Sequence, residues 1–131
     1  EVFVDIIQRI SSGLKPVSQN ENEASYCSKI TKEDGKINFK ETAKEIINKY
    51  RAFSGWPGTF FEYKDTVIKV HGISATKEES DGIPGSILCV TKDGIHIKAN
   101  DSVIVITHIQ LPGRKIINSA DIYNSYKDFF V

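Results

Sequence analysis

The chain is poor in several things, and each shortage removes a class of explanation. Cysteine is scarce: Cys27 and Cys89 stand far apart, and neither has a close-spaced Cys or His partner. That leaves out a disulfide framework and a zinc site of the usual ligand spacing. Two reduced thiols in the cytosol are favoured over a single disulfide. Charge of one sign is also missing, because seventeen basic and seventeen acidic side chains cancel. Such a balance argues against a protein that coats nucleic acid by bulk charge. No apolar run is long enough to cross a membrane. The opening Glu1-Val2-Phe3-Val4-Asp5 has no basic leader and no initiator methionine, so nothing reads as a secretion signal. A beginning inside a helical pattern reads as a fragment.

Catalytic signatures are lacking too. There is no His-Glu-x-x-His, no Gly-Lys-Ser/Thr loop and no Gly-x-Gly-x-x-Gly fingerprint. His71, His96 and His108 fall on candidate strands at wide spacing, where a histidine is more often a surface or packing residue. Asp93-Gly94 and Asp101 have the character of turns rather than of paired carboxylates. No catalytic residue and no metal ligand is assigned.

What remains is an ordinary globular composition, 40% apolar over 131 residues, enough for one domain with a real core. Val2, Phe3, Ile6, Ile7 and Ile10 share one helical face, with Gly13 as terminator. Such a stripe must pack on the rest of the chain or on something outside it. Leu14 to Ala24, with Pro16 and a Ser-Gln-Asn-Glu-Asn-Glu tract, reads as a linker. The expected division is residues 1–24, a terminal helix plus linker, and residues 25–131, a domain.

Within that domain, Asn38 and Glu41 fit the spacing of a helix N-cap with its reciprocating glutamate. Ala43, Ile46, Ile47, Tyr50 and Phe53 follow at helical intervals until Gly55 and Pro57 end the helix. From Thr59 the period becomes two, with strands expected at 59–63, 66–74, 86–92, 94–99 and 103–111. A tight turn at Asp93-Gly94 joins the third to the fourth. Val103 to Ile106, apolar on both faces, should be a central covered strand. Segments 77–84 and 112–118 read as loops, and Ser119 as the cap of a last helix burying Ile122, Tyr123, Tyr126, Phe129 and Phe130. The fold class expected is mainly β with flanking helices, a small open barrel of the oligonucleotide-binding kind; a flat sheet covered by two helices gives a similar pattern.

Positive charge is concentrated despite the neutral sum. Between Lys29 and Arg51 seven basic residues face four acidic ones, a net of +3. Lys29, Lys32 and Lys36 precede the helix at a spacing suited to a phosphate backbone. Arg114 and Lys115 share a Gly-containing loop, and Lys98 shares a strand face with His96. A solvated helix face explains such charge equally well on composition alone. Trp56, Phe60 and Phe61, beside a turn, are expected to fill the core rather than to stack on bases.

Several segments together resemble methionyl-tRNA formyltransferases. The run Arg51-Ala52-Phe53-Ser54-Gly55-Trp56-Pro57-Gly58-Thr59-Phe60-Phe61 is similar to a signature of that family. Tyr26 to Phe39 resembles its linker, although the family commonly has Asp and Trp where Asn38 and Phe39 stand. Pro84-Gly85-Ser86-Ile87-Leu88, Gly94-Ile95-His96-Ile97, Ile104-Val105-Ile106 and Ile109-Gln110-Leu111-Pro112-Gly113-Arg114-Lys115 follow in order. Ser12-Gly13-Leu14-Lys15-Pro16 is similar to the end of the family's catalytic domain.

The resemblance implies a cytoplasmic enzyme, bacterial or organellar, that moves a formyl group from 10-formyltetrahydrofolate to the amino group of methionyl initiator tRNA. The catalytic Asn, His and Asp would lie in an N-terminal domain outside this chain, so the fragment alone is expected to be inactive and to hold no cofactor. Its partners would be initiator methionyl-tRNA and that N-terminal domain, with no membrane. The RNA-binding residues implied are Lys29, Lys32, Lys36, Arg114 and Lys115, with Lys98 added from its strand face. The alternatives are the C-terminal domain of a sugar-nucleotide or folate formyltransferase, or a free-standing RNA-binding barrel.

Overall fold

A computed structural model describes residues 2–78 and 80–131. Helix α1 (Val2–Ser11) carries the expected apolar stripe, and every one of its side chains is exposed. A linker with one 3₁₀ turn (Glu21–Glu23) leads to a second 3₁₀ turn (Glu33–Gly35) and then to helix α2 (Ala43–Ala52). Six strands follow: β1 (Thr59–Tyr63), β2 (Thr66–Ala75), β3 (Ile87–Thr91), β4 (Gly94–Lys98), β5 (Val103–Gln110) and β6 (Ile116–Asn118). Helix α3 (Ser119–Phe130) ends the chain.

The sheet is antiparallel in the order β1-β2-β5-β4-β3. Strand β5 is the hinge of the arrangement. One of its edges pairs with β2 throughout, while the other pairs with β4 over Val103–Ile106 and with β6 over His108–Gln110. Its burial is complete from Val103 to Ile106, as its two-sided apolar sequence requires. Among the described residues β1 and β3 stay at the two edges, so hydrogen bonding does not close the sheet into a barrel.

A single core joins the sheet to both domain helices. Ile46 from α2, Ile68, Ile95, Ile104, Ile106 and Ile109 from the strands, and Ile122 and Phe130 from α3 are all essentially buried. At the far end of α3, Tyr63 donates to the Phe130 carbonyl (3.1 Å) and Lys64 to the Phe129 carbonyl (2.8 Å). Lys64 and Asp65, both at positive φ, form the two-residue turn between β1 and β2 and bring this cation to the helix C-terminus.

Local details differ from expectation at five places. Helix α2 is capped by Thr42, not Asn38: Thr42 accepts from the Glu45 amide (3.3 Å), and Glu45 accepts from the Thr42 amide and hydroxyl (2.9 and 2.7 Å). The Asn38 side chain instead accepts from the Lys40 amide (3.2 Å) in a turn. Asp101, from the β4–β5 connection, accepts the Ala43 amide (2.8 Å) and so decides between two overlapping cap spacings. Helix α3 is capped by Asn118, one residue before Ser119. The β3–β4 turn centres on Lys92-Asp93, with Gly94 already paired to Thr91. Residues 116–118 form a strand rather than loop, because β5 offers them a free edge. Finally, Trp56 is 57% exposed, whereas Phe61 is buried and Phe60 half-buried.

Candidate nucleic-acid interface

The outer face of the β1–β2–β5 region is where the basic segments meet. Strand register aligns Phe60 with Lys69 and Lys69 with Gln110, and Gln110 in turn faces Ile116 of β6. These residues alternate with buried Phe61, Ile68, Val70 and Ile109, so they project on the side away from the core. A bulge at His71 keeps this face populated: the register shifts between Val70 and Gly72. Gly72 lets the strands close up there, since a Cβ would meet the Thr107 hydroxyl and the His108 side chain, which would have to shift. The His71 ring then bonds Gln110 Oε1 (3.2 Å) through Nε2, and the His71 carbonyl accepts from the Tyr50 hydroxyl (2.9 Å).

Over this face lies a cleft of about 690 Å³, walled on one side by Lys32 and Glu33, at its end by Ser54, Gly55, Pro57 and Gly58, and floored by Phe60, Lys69 and His71. A smaller recess of about 280 Å³ adjoins it, sharing Val67 and Lys69 and extending to Leu111, Pro112 and Gly113. The two form one track from the linker to the loop that carries Arg114 and Lys115.

The linker side is built by short-range hydrogen bonds. Asp34 accepts from the Thr31 amide (2.7 Å) and hydroxyl (2.9 Å), closing the turn that presents Lys32. The amide bond first, then the hydroxyl, holds the Asp34 carboxyl below its ordinary pKa. Ile37 donates to the Phe60 carbonyl (2.8 Å), and Lys36 forms an isolated bridge with Phe60, so this segment runs beside the edge of β1. Gly35 permits that approach, because a Cβ there would overlap the Gly58 carbonyl oxygen. At the other end, Gln110 donates to the Arg114 carbonyl (2.9 Å), while the Arg114 guanidinium donates to the Tyr126 hydroxyl (2.9 Å).

The six basic residues singled out from the sequence therefore have different situations. Lys29 and Lys115 are exposed, Lys32 lines the cleft, and Arg114 is anchored on α3 beside the recess. Lys36 is engaged by Glu62 at 2.6 Å, which neutralises a carboxylate on the cleft wall. Lys98 is elsewhere and only 7% exposed. The 82–86 loop covers it: Lys98 exchanges backbone hydrogen bonds with Gly85 and Ser86, and Gly82 lies near its Cγ. Its placement sets it apart from the track along which Lys32 and Arg114 lie. Lys69, His71 and Gln110 carry the floor of the track, and the alternation of β2 and β5 was the only sign of them in the sequence.

The other two histidines are held locally, His96 to the Thr91 hydroxyl and His108 to the Thr107 hydroxyl, each at 3.0 Å. Among the described residues no cluster of His, Cys, Asp or Glu is arranged to hold a metal, and both cysteines are free and exposed. Among the described residues no helix is long and apolar enough to cross a membrane. What the track offers is a line of cations with aromatic and amide groups between them, the equipment for holding a polyanion with unstacked bases.

Residues 29–127 match the formyl transferase C-terminal domain, and the chain belongs to that family. More particularly, it is a homologue of methionyl-tRNA formyltransferase. It is 44% identical over 106 residues to the enzyme so named from Finegoldia magna, covering 81% of this chain and 34% of the relative. The one from Marinobacter nauticus is 37% identical over 128 residues, covering 97% of this chain and 41% of the relative. The chain thus spans about a third to two-fifths of the length of these curated relatives. Among solved structures, HypX from Aquifex aeolicus superposes with a TM-score of 0.60 at 20% identity, over 95% of this chain and 23% of that one. A structure of HypX in complex with tetrahydrofolic acid gives the same TM-score over 93% of this chain and 22% of HypX. These structural likenesses establish the fold.

Proposed function

We infer that this chain is the tRNA-holding C-terminal part of a methionyl-tRNA formyltransferase. Residues 1–24 would be the last helix of the catalytic domain with its linker, and residues 25–131 the holding domain, a curved sheet approximating a small open barrel. The observation that carries this reading is the track itself. It joins the two basic segments implied by the family resemblance, the linker at Lys32 and the loop at Arg114-Lys115, across a floor bearing Lys69. Phosphates laid along it would fix the body of the tRNA, so that the acceptor end enters the catalytic domain with less orientational freedom to lose. The donor would be 10-formyltetrahydrofolate; the tetrahydrofolic acid bound by HypX supports a folate in this wider fold family. A cytoplasmic location, bacterial or organellar, follows from that activity.

The test is binding of the chain to initiator tRNA and to an elongator tRNA across a salt series. Binding to both that falls steeply with salt is expected, with Lys29→Ala and Lys32→Ala together lowering the salt slope by about two. No tRNA binding at low salt, with binding of a UDP-sugar in its place, would move the chain to the sugar-nucleotide formyltransferases.

A further inference from the structure

We propose that the wide end of the track takes one unstacked nucleotide of the bound RNA, its base lying against Phe60 and its phosphate on Lys32 and Lys69. This deepens the tRNA reading and rests on it. A phosphate backbone alone needs only a row of surface cations, and the recess beside Leu111–Gly113 suffices for that. The cleft beside Lys32 is a different kind of place. Its volume of about 690 Å³ is more than twice that of the recess and falls in the range of sites that enclose a small molecule, roughly 300–1,000 Å³.

Its chemistry is that of a nucleotide site. Phe60 is half-buried and lines the cleft, and so does Tyr50, whose hydroxyl is already committed to the His71 carbonyl. An aromatic ring in such a cleft can stack any base without choosing among them. Lys69 is directly across from Phe60 in the strand register, so cation and ring are neighbours on one face. The two carboxylates on the wall are unequal: Glu62 is satisfied by Lys36 at 2.6 Å, which leaves Glu33 against Lys32 and Lys69. The balance facing an occupant is cationic. His71, which lines the cleft, is held through Nε2 by Gln110 of the adjoining recess at 3.2 Å, leaving its other ring nitrogen for a base edge.

Trp56 is the only tryptophan, it is mostly exposed, and the residues on either side of it line the cleft. It therefore reports on this end of the track and no other. The full 131-residue chain is titrated with a short oligouridylate, an RNA duplex and a UDP-sugar, reading Trp56 emission corrected for absorption, while initiator tRNA binding is followed in parallel by gel shift. The oligouridylate is expected to quench Trp56 and to displace tRNA, and the duplex to do neither at the same concentration. Phe60→Leu, which keeps the bulk and loses the flat face, should weaken the oligouridylate about tenfold or more without altering the unfolding midpoint. Lys69→Ala should weaken it several-fold and serves as the second variant should Phe60→Leu fail to fold.

Retained tRNA binding with no effect of oligouridylate on Trp56 or on tRNA would overturn the nucleotide site and leave the tRNA reading standing. Quenching by the UDP-sugar alone would assign the cleft to a free nucleotide and overturn its place on an RNA. Failure to bind any RNA would overturn both readings together.

Discussion

Replacing Gly35 by Ala should destabilise the domain by about 2–3 kcal/mol, although a methyl group in a turn ordinarily helps. Gly→Ala at an unstrained open site stabilises by about 0.4–1 kcal/mol, because the unfolded chain loses freedom. At Gly35 the new methyl would overlap the Gly58 carbonyl oxygen, a backbone atom that cannot swing aside, with the Pro57 ring behind it. Two responses are open to the protein. It can keep the linker against β1 and absorb the overlap, which costs roughly 1–3 kcal/mol in tightly packed sites. Or the linker can lift off. Lifting would break the Ile37–Phe60 backbone hydrogen bond, worth about 1 kcal/mol. It would also expose Ile37, now 4% exposed, whose burial is worth about 2 kcal/mol. The exposed Lys36–Glu62 pair adds little to either total. Both routes end near the same figure. With a urea slope of about 1.5 kcal/mol per molar for a domain of this size, the unfolding midpoint should drop by roughly 1.3–2 M. Gly55→Ala is the internal control: nothing lies within 4 Å of where its methyl would stand and its φ is ordinary, so it should be neutral or slightly stabilising. A Gly35→Ala midpoint equal to that of Gly55→Ala, with the Ile37 amide still slow to exchange, would refute the close approach and the stitched linker with it.

Two further outcomes follow from the caps. Thr42→Ala removes the hydroxyl's two bonds to Glu45 while keeping the Thr42 amide's bond to the Glu45 carboxylate, and should cost about 1 kcal/mol, read as a lower urea midpoint with an unchanged slope. Three carboxyls are held below their ordinary pKa: Asp34 mainly by the Thr31 amide, Glu45 mainly by the Thr42 hydroxyl, and Asp101 mainly by the Ala43 amide. A depressed carboxyl stabilises the fold above its unfolded pKa and loses that contribution as pH falls through the folded one, so stability should decline below about pH 4. Asp101→Asn should flatten that decline in urea melts taken at successive pH values, and an unchanged profile would show that Asp101 does not carry it.

The elements that were legible from sequence are those whose signal is local. The period-two runs placed β1 to β5 within a residue or so of their observed ends, because alternating burial writes itself into each strand. What depended on distant partners was not legible. Asn38-x-x-Glu41 and Thr42-x-x-Glu45 are equally good cap spacings, and the choice between them is made by Asp101, 58 residues away from Ala43. Strand β6 has only three residues and exists through β5. The same holds for the candidate site. The basic segments at 29–36 and 114–115 were visible as clusters, but Phe60, Lys69 and Gln110 become one row only through the register of three strands. The burial of Lys98 was hidden for the matching reason: alternation put it on an outer face, and a loop with no periodicity of its own lies over that face.

The bridge from Lys36 to Phe60 has a consequence for how the domain behaves in company. Strand β1 is the last in its sheet, and its outward backbone groups would otherwise be a template for a strand from another molecule. The incoming segment occupies that template at Phe60, and it arrives carrying lysines on both sides of the contact. A domain trimmed to begin after Ile37 would keep its helices and strands but present a bare, aromatic edge. Its first failure would be self-association through β1 rather than unfolding, and the residues best suited to hold an RNA would prove to have been guarding solubility as well.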